Sequence, residues 1–137
     1  MSKERPIVAE YPVTVGNIIR LANGITEMRF NSEYLIDITE LKEVQSVIDK
    51  IAETEDVYIL VIPGPDGNMS KEAREAPMFS NNRTKAIAII ANMLHQRILG
   101  NLYFKFRKAQ FTNYKLFKSE QNARNWLLLQ MAENNKD

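Results

Sequence analysis

Residues 57–62, Val-Tyr-Ile-Leu-Val-Ile, decide the fold of this chain. The run is apolar at every position and has the length of a β-strand, which is typical of a central strand covered on both faces. Residues 63–68, Pro-Gly-Pro-Asp-Gly-Asn, are turn-forming types and end that strand. Ser70 follows, and serine is a preferred helix N-cap residue, so a helix is predicted to begin there. A strand, turn and helix in this order indicate an α/β protein.

An antiparallel hairpin is predicted at the start of the chain. Residues 13–21 are rich in β-branched side chains and are interpreted as one strand. Residues 25–30 form its partner, because Asn23-Gly24 between the two segments is a strong hairpin turn signal. Residues 34–36 are interpreted as a short further strand or as an extended lead-in to a helix.

Helices and strands alternate through the rest of the chain. Asp37 stands at the capping-box spacing from Glu40, and apolar residues then recur at helical spacing to about Glu53. The later pattern predicts a helix from Ser70 that Pro77 disturbs, a strand at 85–91, a helix at 93–107, a strand at 114–117 and a final helix from Ser119. On this last helix one apolar face is shared by Ala123, Trp126, Leu127 and Met131. We therefore predict one α/β domain over 1–137, with its core at about 13–132. Its sheet is predicted to be mixed, with an N-terminal antiparallel hairpin and helical crossovers.

The composition narrows the classes of function. With 137 residues, 45% apolar and 26% charged, the chain is typical of a soluble globular domain. It has no cysteine and a single histidine, His95, so a disulfide, a thiolate metal site and a histidine cluster are excluded. We see no signal-peptide core and no apolar run long enough to span a membrane, and we therefore expect a cytoplasmic protein.

The charges are distributed unevenly. No Asp or Glu occurs from Ala76 to Ser119, whereas eight basic residues do, which gives this segment a charge of +8. The other 10 basic and 17 acidic residues give the remainder −7. A solvated basic face explains this pattern, but so does an anionic ligand or the acidic surface of a second copy.

Several short motifs together carry a family resemblance. They are the Asn23-Gly24 turn, Leu41-Lys42-Glu43, Ser70-Lys71-Glu72-Ala73-Arg74, Lys85-Ala86-Ile87-Ala88, Ile98-Leu99-Gly100-Asn101, and Lys115-Leu116-Phe117 ahead of Ala123-Arg124-Asn125-Trp126-Leu127. Over residues 16–130 the chain resembles the small bacterial STAS-like proteins, which are related in fold to anti-sigma factor antagonists and to CRAL-TRIO lipid-binding domains. The resemblance implies a STAS-like mixed sheet of four to five strands with helices packed on it, and it implies no known reaction.

Ser70 has three interpretations. As an N-cap it accepts a hydrogen bond from a backbone N–H of the helix, which stabilises the helix by about 1 kcal/mol. The resemblance adds a second, because anti-sigma factor antagonists carry a phosphorylated serine at this strand-to-helix junction. Their Asp-Ser-Ser-Gly type of signature is replaced here by Asn68-Met69-Ser70-Lys71-Glu72, which favours the cap. The third is a small anion bound on the same N–H groups.

Arg74 lies in the first turn of the same predicted helix, where its charge opposes the helix dipole. One explanation is a salt bridge to a nearby acid such as Glu40 or Glu43. The other is an anchor for a ligand carboxylate or phosphate.

A basic and aromatic segment, residues 103–118, supplies the remaining candidate residues except Arg97, which precedes it. Core aromatics with a solvated basic rim, a pocket for an amphipathic anion, and a nucleic-acid surface all fit it. A sequence pI of about 7.9 and the lack of a recognised nucleic-acid module disfavour the last. The candidate residues for binding an anionic ligand are Ser70, Arg74, Arg97, Lys105, Arg107 and Lys108.

The function predicted from these patterns is a non-enzymatic binding or regulatory module that acts through protein–protein contacts. We expect a homodimer, or a complex with another protein, that uses the acidic and basic faces and weakens in salt. The alternative is a carrier or sensor of a lipid-like anionic ligand in a pocket lined by residues 93–117. No cofactor, metal or catalytic group is predicted, and no local carboxylate orients His95 as a base.

Overall fold

The computed structural model describes residues 6–76, 83–92 and 113–135. The strands are β1 (Ile7–Val13), β2 (Gly16–Leu21), β3 (Ile25–Phe30), β4 (Glu33–Ile36), β5 (Val57–Ile62), β6 (Asp66–Met69), β7 (Thr84–Ile90) and β8 (Tyr114–Phe117). The helices are α1 (Ile38–Ala52), α2 (Lys71–Glu75) and α3 (Glu120–Asn134). The helix predicted at 93–107 and the effect of Pro77 lie outside the described residues.

The principal sheet has the strand order β1-β2-β3-β5-β7-β8. The first three strands pair antiparallel, and β3, β5, β7 and β8 pair parallel. The α/β class, the mixed sheet and the N-terminal hairpin are therefore confirmed. The predicted strand number is wrong, because this sheet has six strands and a separate two-stranded sheet joins β4 to β6.

The sixth strand is β1, which the sequence analysis did not predict, and the predicted strand at 13–21 contains the end of β1, a turn and β2. Val13 ends β1, Thr14-Val15 form the turn, and Gly16 begins β2. At Gly16 the chain passes so close to β3 that an added Cβ would lie 2.0 Å from the carbonyl oxygen of Arg29. Only glycine lets β2 begin directly after the turn.

The second sheet corrects the predicted turn at 63–68, because Asp66–Met69 form a strand parallel to β4. Tyr34 lies opposite Gly67, and a Cβ at Gly67 would fall 1.8 Å from the tyrosine ring. The ring occupies the space above the glycine and stacks on Phe30 at 4.8 Å. The Tyr34 ring therefore packs over β6, although the residue types of β6 do not predict a strand.

The principal sheet is covered on both faces. Ile59 of β5 belongs to the core under α1 and α2, and Leu60 belongs to the core under α3. Both side chains are fully buried, which confirms that residues 57–62 form a central strand. On the α3 side, Ala123 and Leu127 are fully buried as well, in agreement with the predicted inward face of this helix.

Over the described residues, none of the helices has the length and apolar character needed to cross a membrane.

Candidate functional site

The second sheet brings two helix N-termini together. Strands β4 and β6 run parallel and end side by side, and each leads directly into a helix. Asp37 caps α1 with a complete capping box, in which Glu40 accepts a hydrogen bond from the Asp37 backbone N–H at 2.9 Å. Ser70 caps α2 and accepts from the Ala73 backbone N–H at 3.1 Å. Both predicted caps are therefore confirmed.

The two caps are joined to each other. The Ser70 hydroxyl donates to Oδ1 of Asp37 at 2.8 Å. The hydrogen bonds from Ser70 and from the Ile38 backbone N–H lower the pKa of the Asp37 carboxyl. A carboxylate with a lowered pKa is a weak base at neutral pH, and the serine oxygen also accepts from Ala73. The geometry therefore fits a link between two helices better than an activated nucleophile.

We expect the contribution of this link to vary with pH. Ser70→Ala should lower the free energy of unfolding by about 1 kcal/mol at neutral pH, as the loss of a serine cap does. Because the folded pKa of Asp37 is lowered, the stabilisation from its charge is present above the unfolded pKa of about 3.9 and is lost as the pH falls through the folded value. The difference between wild type and Ser70→Ala in urea denaturation should therefore shrink as the pH falls below the unfolded pKa of Asp37.

Ser119 provides the matched control for that experiment. It caps α3 in the same manner, with its hydroxyl accepting from the Asn122 backbone N–H at 3.2 Å. Ser119→Ala should lower the free energy of unfolding by a similar amount, and this decrease should depend less on pH. Equal pH dependence in the two variants would contradict a specific effect of the Ser70–Asp37 hydrogen bond.

Arg74 contacts the same junction through the backbone. Its Nη1 donates to the carbonyl oxygen of Met69 at 2.9 Å. Of the two acids predicted as its partners, Glu40 accepts from Asp37 N and Glu43 accepts from Thr14 N at 3.0 Å. Arg74 thus holds the end of β6, and its role as a ligand anchor stays a prediction.

The other predicted binding residues, Arg97, Lys105, Arg107 and Lys108, lie outside the described residues, as does His95. Among the described cations of the acid-free stretch 76–119, Arg83 and Lys115 make contacts with other side chains. Arg83 forms an ion pair with Asp56 at 3.1 Å, and the Lys115 ammonium lies 5.5 Å from the centre of the Phe117 ring. The anion pocket at 93–117 therefore stays a prediction.

A buried ion network joins β3 to α3, and the sequence analysis did not identify it. The Glu27 side chain is completely buried and accepts from Nε of Arg29 at 2.9 Å and from Nε of Arg124 at 3.4 Å. Glu120 accepts from both arginines, at 2.7 Å from Arg124 and 3.3 Å from Arg29. Burial raises the pKa of Glu120, but the hydrogen bond from Arg124 and the two positive charges outweigh this effect, so the pKa is lowered overall.

The network fixes the first turn of α3 against the sheet. At the other end of the helix, Asn134 donates to the Tyr58 hydroxyl at 3.0 Å, and Gln130 accepts from Asn113 at 2.8 Å. The buried side chain of Leu127 lies between these polar contacts. The helix is thus attached to the sheet near both ends and at its centre, which fixes the position of its backbone.

The outward side chains of α3 are mostly uncharged, and the exposed acid Glu133 lies at the edge of this surface, one turn beyond Leu129. We define the α3 outer face as the exposed residues at successive turns: Gln121, Asn125, Leu128, Leu129 and Ala132. Leu128 is 40% exposed and Leu129 is 55% exposed. Two adjacent leucines with this exposure, on a helix that is otherwise well packed, are a candidate contact surface.

A groove of about 740 Å³ runs along the outer side of α1. Its described walls carry charges of both signs, from Lys42 and Lys50 and from Asp49 and Glu53. The size suits a small ligand, but the mixed charge selects no ligand class. In the described ranges, no three acidic or histidine side chains lie together as a metal site requires.

These features define an α/β domain with a mixed sheet, linked helix caps and an exposed apolar helix face. The chain belongs to the family described as Domain of unknown function (DUF7793), whose family model matches residues 19–129. Comparison with curated proteins and with solved structures gives no match.

Proposed function

We propose that this chain is a non-enzymatic module that binds protein through the α3 outer face. The observation that carries the proposal is the exposure of Leu128 and Leu129, 40% and 55%, on a helix whose other face is fully packed. Exposed leucines that neighbour each other lose contact with water when a partner covers them, and because each is already about half buried, each contributes up to roughly 1 kcal/mol.

The attachment of α3 to the sheet supports this proposal. Leu127 and Ala123 are fully buried beneath the helix, and Arg124 forms ion pairs with Glu27 and Glu120. A surface held in this way loses little conformational entropy when a partner binds, so more of the contact energy appears as affinity.

The other exposed apolar residues are poorer candidates. Ile7 and Val8 lie on the edge strand β1, but the register shifts between Ile7 and Ala9, and Pro12 removes a backbone donor from the same strand. Such an irregularity and a proline discourage pairing with another strand. Leu35 is 56% exposed on β4, but its neighbours are the half-buried Tyr34 and the buried Ile36, so it forms no exposed apolar pair.

The STAS-like assignment is part of the same proposal. Its support is the mixed sheet that opens with an antiparallel hairpin and carries helices on both faces. A regulatory role through protein contacts agrees with the resemblance described above, and it needs no catalytic group.

Site-specific photo-cross-linking in cells tests the proposal. A benzophenone amino acid replaces Leu129 in one version of the chain and Leu35 in another. The two positions are matched, since the leucines are 55% and 56% exposed. We expect a discrete cross-linked protein band from position 129 and none from position 35.

Bands of equal strength from both positions, or no band from position 129, would contradict the proposal. The mass of a band from position 129 also distinguishes self-association from binding to a different protein. A band at twice the mass of the chain indicates self-association, and a band at any other mass indicates a different protein.

A further inference from the structure

We propose that the partner of the α3 outer face is a second copy of this chain, bound about a two-fold axis that passes near Leu128 and Leu129. This inference rests on the proposed function and names its partner. It differs from the dimer expected from the sequence, which used oppositely charged faces.

The absence of charge at the centre of this face is the first argument, because the exposed Glu133 lies only at its edge, one turn beyond Leu129. Residues 125–132, Asn-Trp-Leu-Leu-Leu-Gln-Met-Ala, contain no charged residue over two turns of helix. In a two-fold contact, residues near the axis meet their own copies, so a charge there would face an identical charge. A partner of opposite charge would instead select for charged residues on this surface.

The polar residues of the face are self-complementary. Asn and Gln each carry a donor and an acceptor, so either can hydrogen-bond to its own copy. Gln121 Nε2 donates to Asn125 Oδ1 at 3.0 Å, which orients both amides along the outer face. The Gln121 oxygen and the Asn125 amide nitrogen are the atoms that such a pair can offer to a second copy.

The shape of the face suits a second helix. The 15 residues of α3 span about 22 Å. Ala132 is small, and its position one turn beyond Leu128 allows a second helix backbone to approach closely. A contact made by one helix pair lies at the small end of specific interfaces, so the dimer is expected to be reversible.

Sedimentation equilibrium of the purified full chain, from about 1 μM to about 1 mM, measures the self-association. We expect a monomer–dimer equilibrium in the wild type. Leu129→Lys should raise the dissociation constant at least tenfold, because it places two like charges together at the axis. Leu35→Lys is the matched control and should leave the dissociation constant unchanged. Circular dichroism of both variants shows that each is folded.

Because the chain has no cysteine, an introduced cysteine allows a second test by disulfide cross-linking. Leu128→Cys gives a chain with one thiol, which under mild oxidation should form a disulfide-linked dimer, because the two copies of position 128 meet at the axis. Leu35→Cys should remain monomeric under the same oxidation. Mixing the Leu129→Lys and Leu129→Glu variants should restore association that neither shows alone.

The salt dependence of the dimer and the photo-cross-linking result distinguish this dimer from one formed by charged faces and from a complex with another protein. The dissociation constant of a dimer formed by uncharged faces should change less than about twofold between low and high salt. The dissociation constant of a dimer formed by acidic and basic faces should rise strongly with salt. A monomer at every concentration, or a dimer that Leu129→Lys does not weaken, overturns this inference. If position 129 then still cross-links to a different protein, the proposed function stands without it.

Discussion

Replacing Glu27 by alanine should lower the free energy of unfolding by about 3 kcal/mol. The carboxylate is fully buried between Arg29 and Arg124, and the Arg124 side chain is only 15% exposed. Removing the acid leaves two positive charges close together with little water to solvate them. We place the effect at the lower end of the range for broken buried pairs, because Glu120 still accepts hydrogen bonds from both arginines. Urea denaturation at neutral pH measures the change.

Glu120→Ala is the matched control within the same network. Glu120 contacts the same two arginines, but its side chain is 39% exposed, so water replaces much of what is lost. We expect a cost below about 1 kcal/mol, as for exposed ion pairs. If Glu27→Ala costs no more than Glu120→Ala, the burial of Glu27 has no energetic consequence and our interpretation of the network fails.

A double substitution separates the charge effect from simple loss of packing. Glu27→Leu combined with Arg124→Leu removes a buried acid and a partner together and fills the space with apolar atoms. This double variant should be more stable than Glu27→Leu alone, because the single change leaves the Arg124 charge without its buried partner. A double variant less stable than the single one would show that Arg124 contributes mainly by packing.

The sequence predicts the central strand and the helix caps because local chemistry determines them. Six successive apolar residues at 57–62 favour the interior of the protein, and the first four of them are buried and the last two half-buried. The capping box of Asp37 and Glu40, and the serine caps at Ser70 and Ser119, depend on atoms at most four residues apart. Interactions of this range are readable from spacing alone.

The ion network was not predictable in the same way. Alternation along β3 places Glu27 on the same face as Ile25, but it does not say what covers that face. The covering residue Arg124 is 97 positions away in the sequence. The signal available was the spacing of Glu120 and Arg124, one helical turn apart, which indicates an ion pair on the helix but not its buried partner.

The α3 outer face illustrates a related limit. Helical spacing correctly assigns Leu127 to the core, and the same spacing directs Leu128 and Leu129 away from it. The sequence cannot tell whether another element of the same chain covers those two leucines. The exposures in the folded chain answer that question and turn an ordinary run of leucines into a candidate interface.

The first hairpin was missed because its turn carries no turn-forming residue. Thr14-Val15 stand within a stretch rich in β-branched residues, which propensity alone extends into one strand from 13 to 21. The structure breaks that stretch at Gly16. The relevant signal was the glycine itself, since an isolated glycine in a strand pattern often marks a close approach of two backbones.

Gly16→Ala should therefore destabilise the chain by about 2–3 kcal/mol, the cost of forcing an extra methyl group into a packed site. The added carbon would lie 2.0 Å from the Arg29 carbonyl oxygen and 2.8 Å from the Cα of Phe30. Both atoms belong to the β3 backbone, which cannot move aside without disturbing its hydrogen bonds to β2 and its parallel pairing with β5. Urea denaturation gives the change in free energy.

Thr14→Ala is the control for the Gly16 substitution. Thr14 is exposed in the same turn, and its hydrogen bond to Glu43 uses the backbone N–H, which alanine retains. Its effect should be within about 0.5 kcal/mol. A Gly16→Ala variant as stable as Thr14→Ala would mean that β2 does not approach β3 as closely as the structure has it. The six-strand order that follows from this hairpin would then fail at its first turn, because the chain could run as the single strand that its β-branched residues favour.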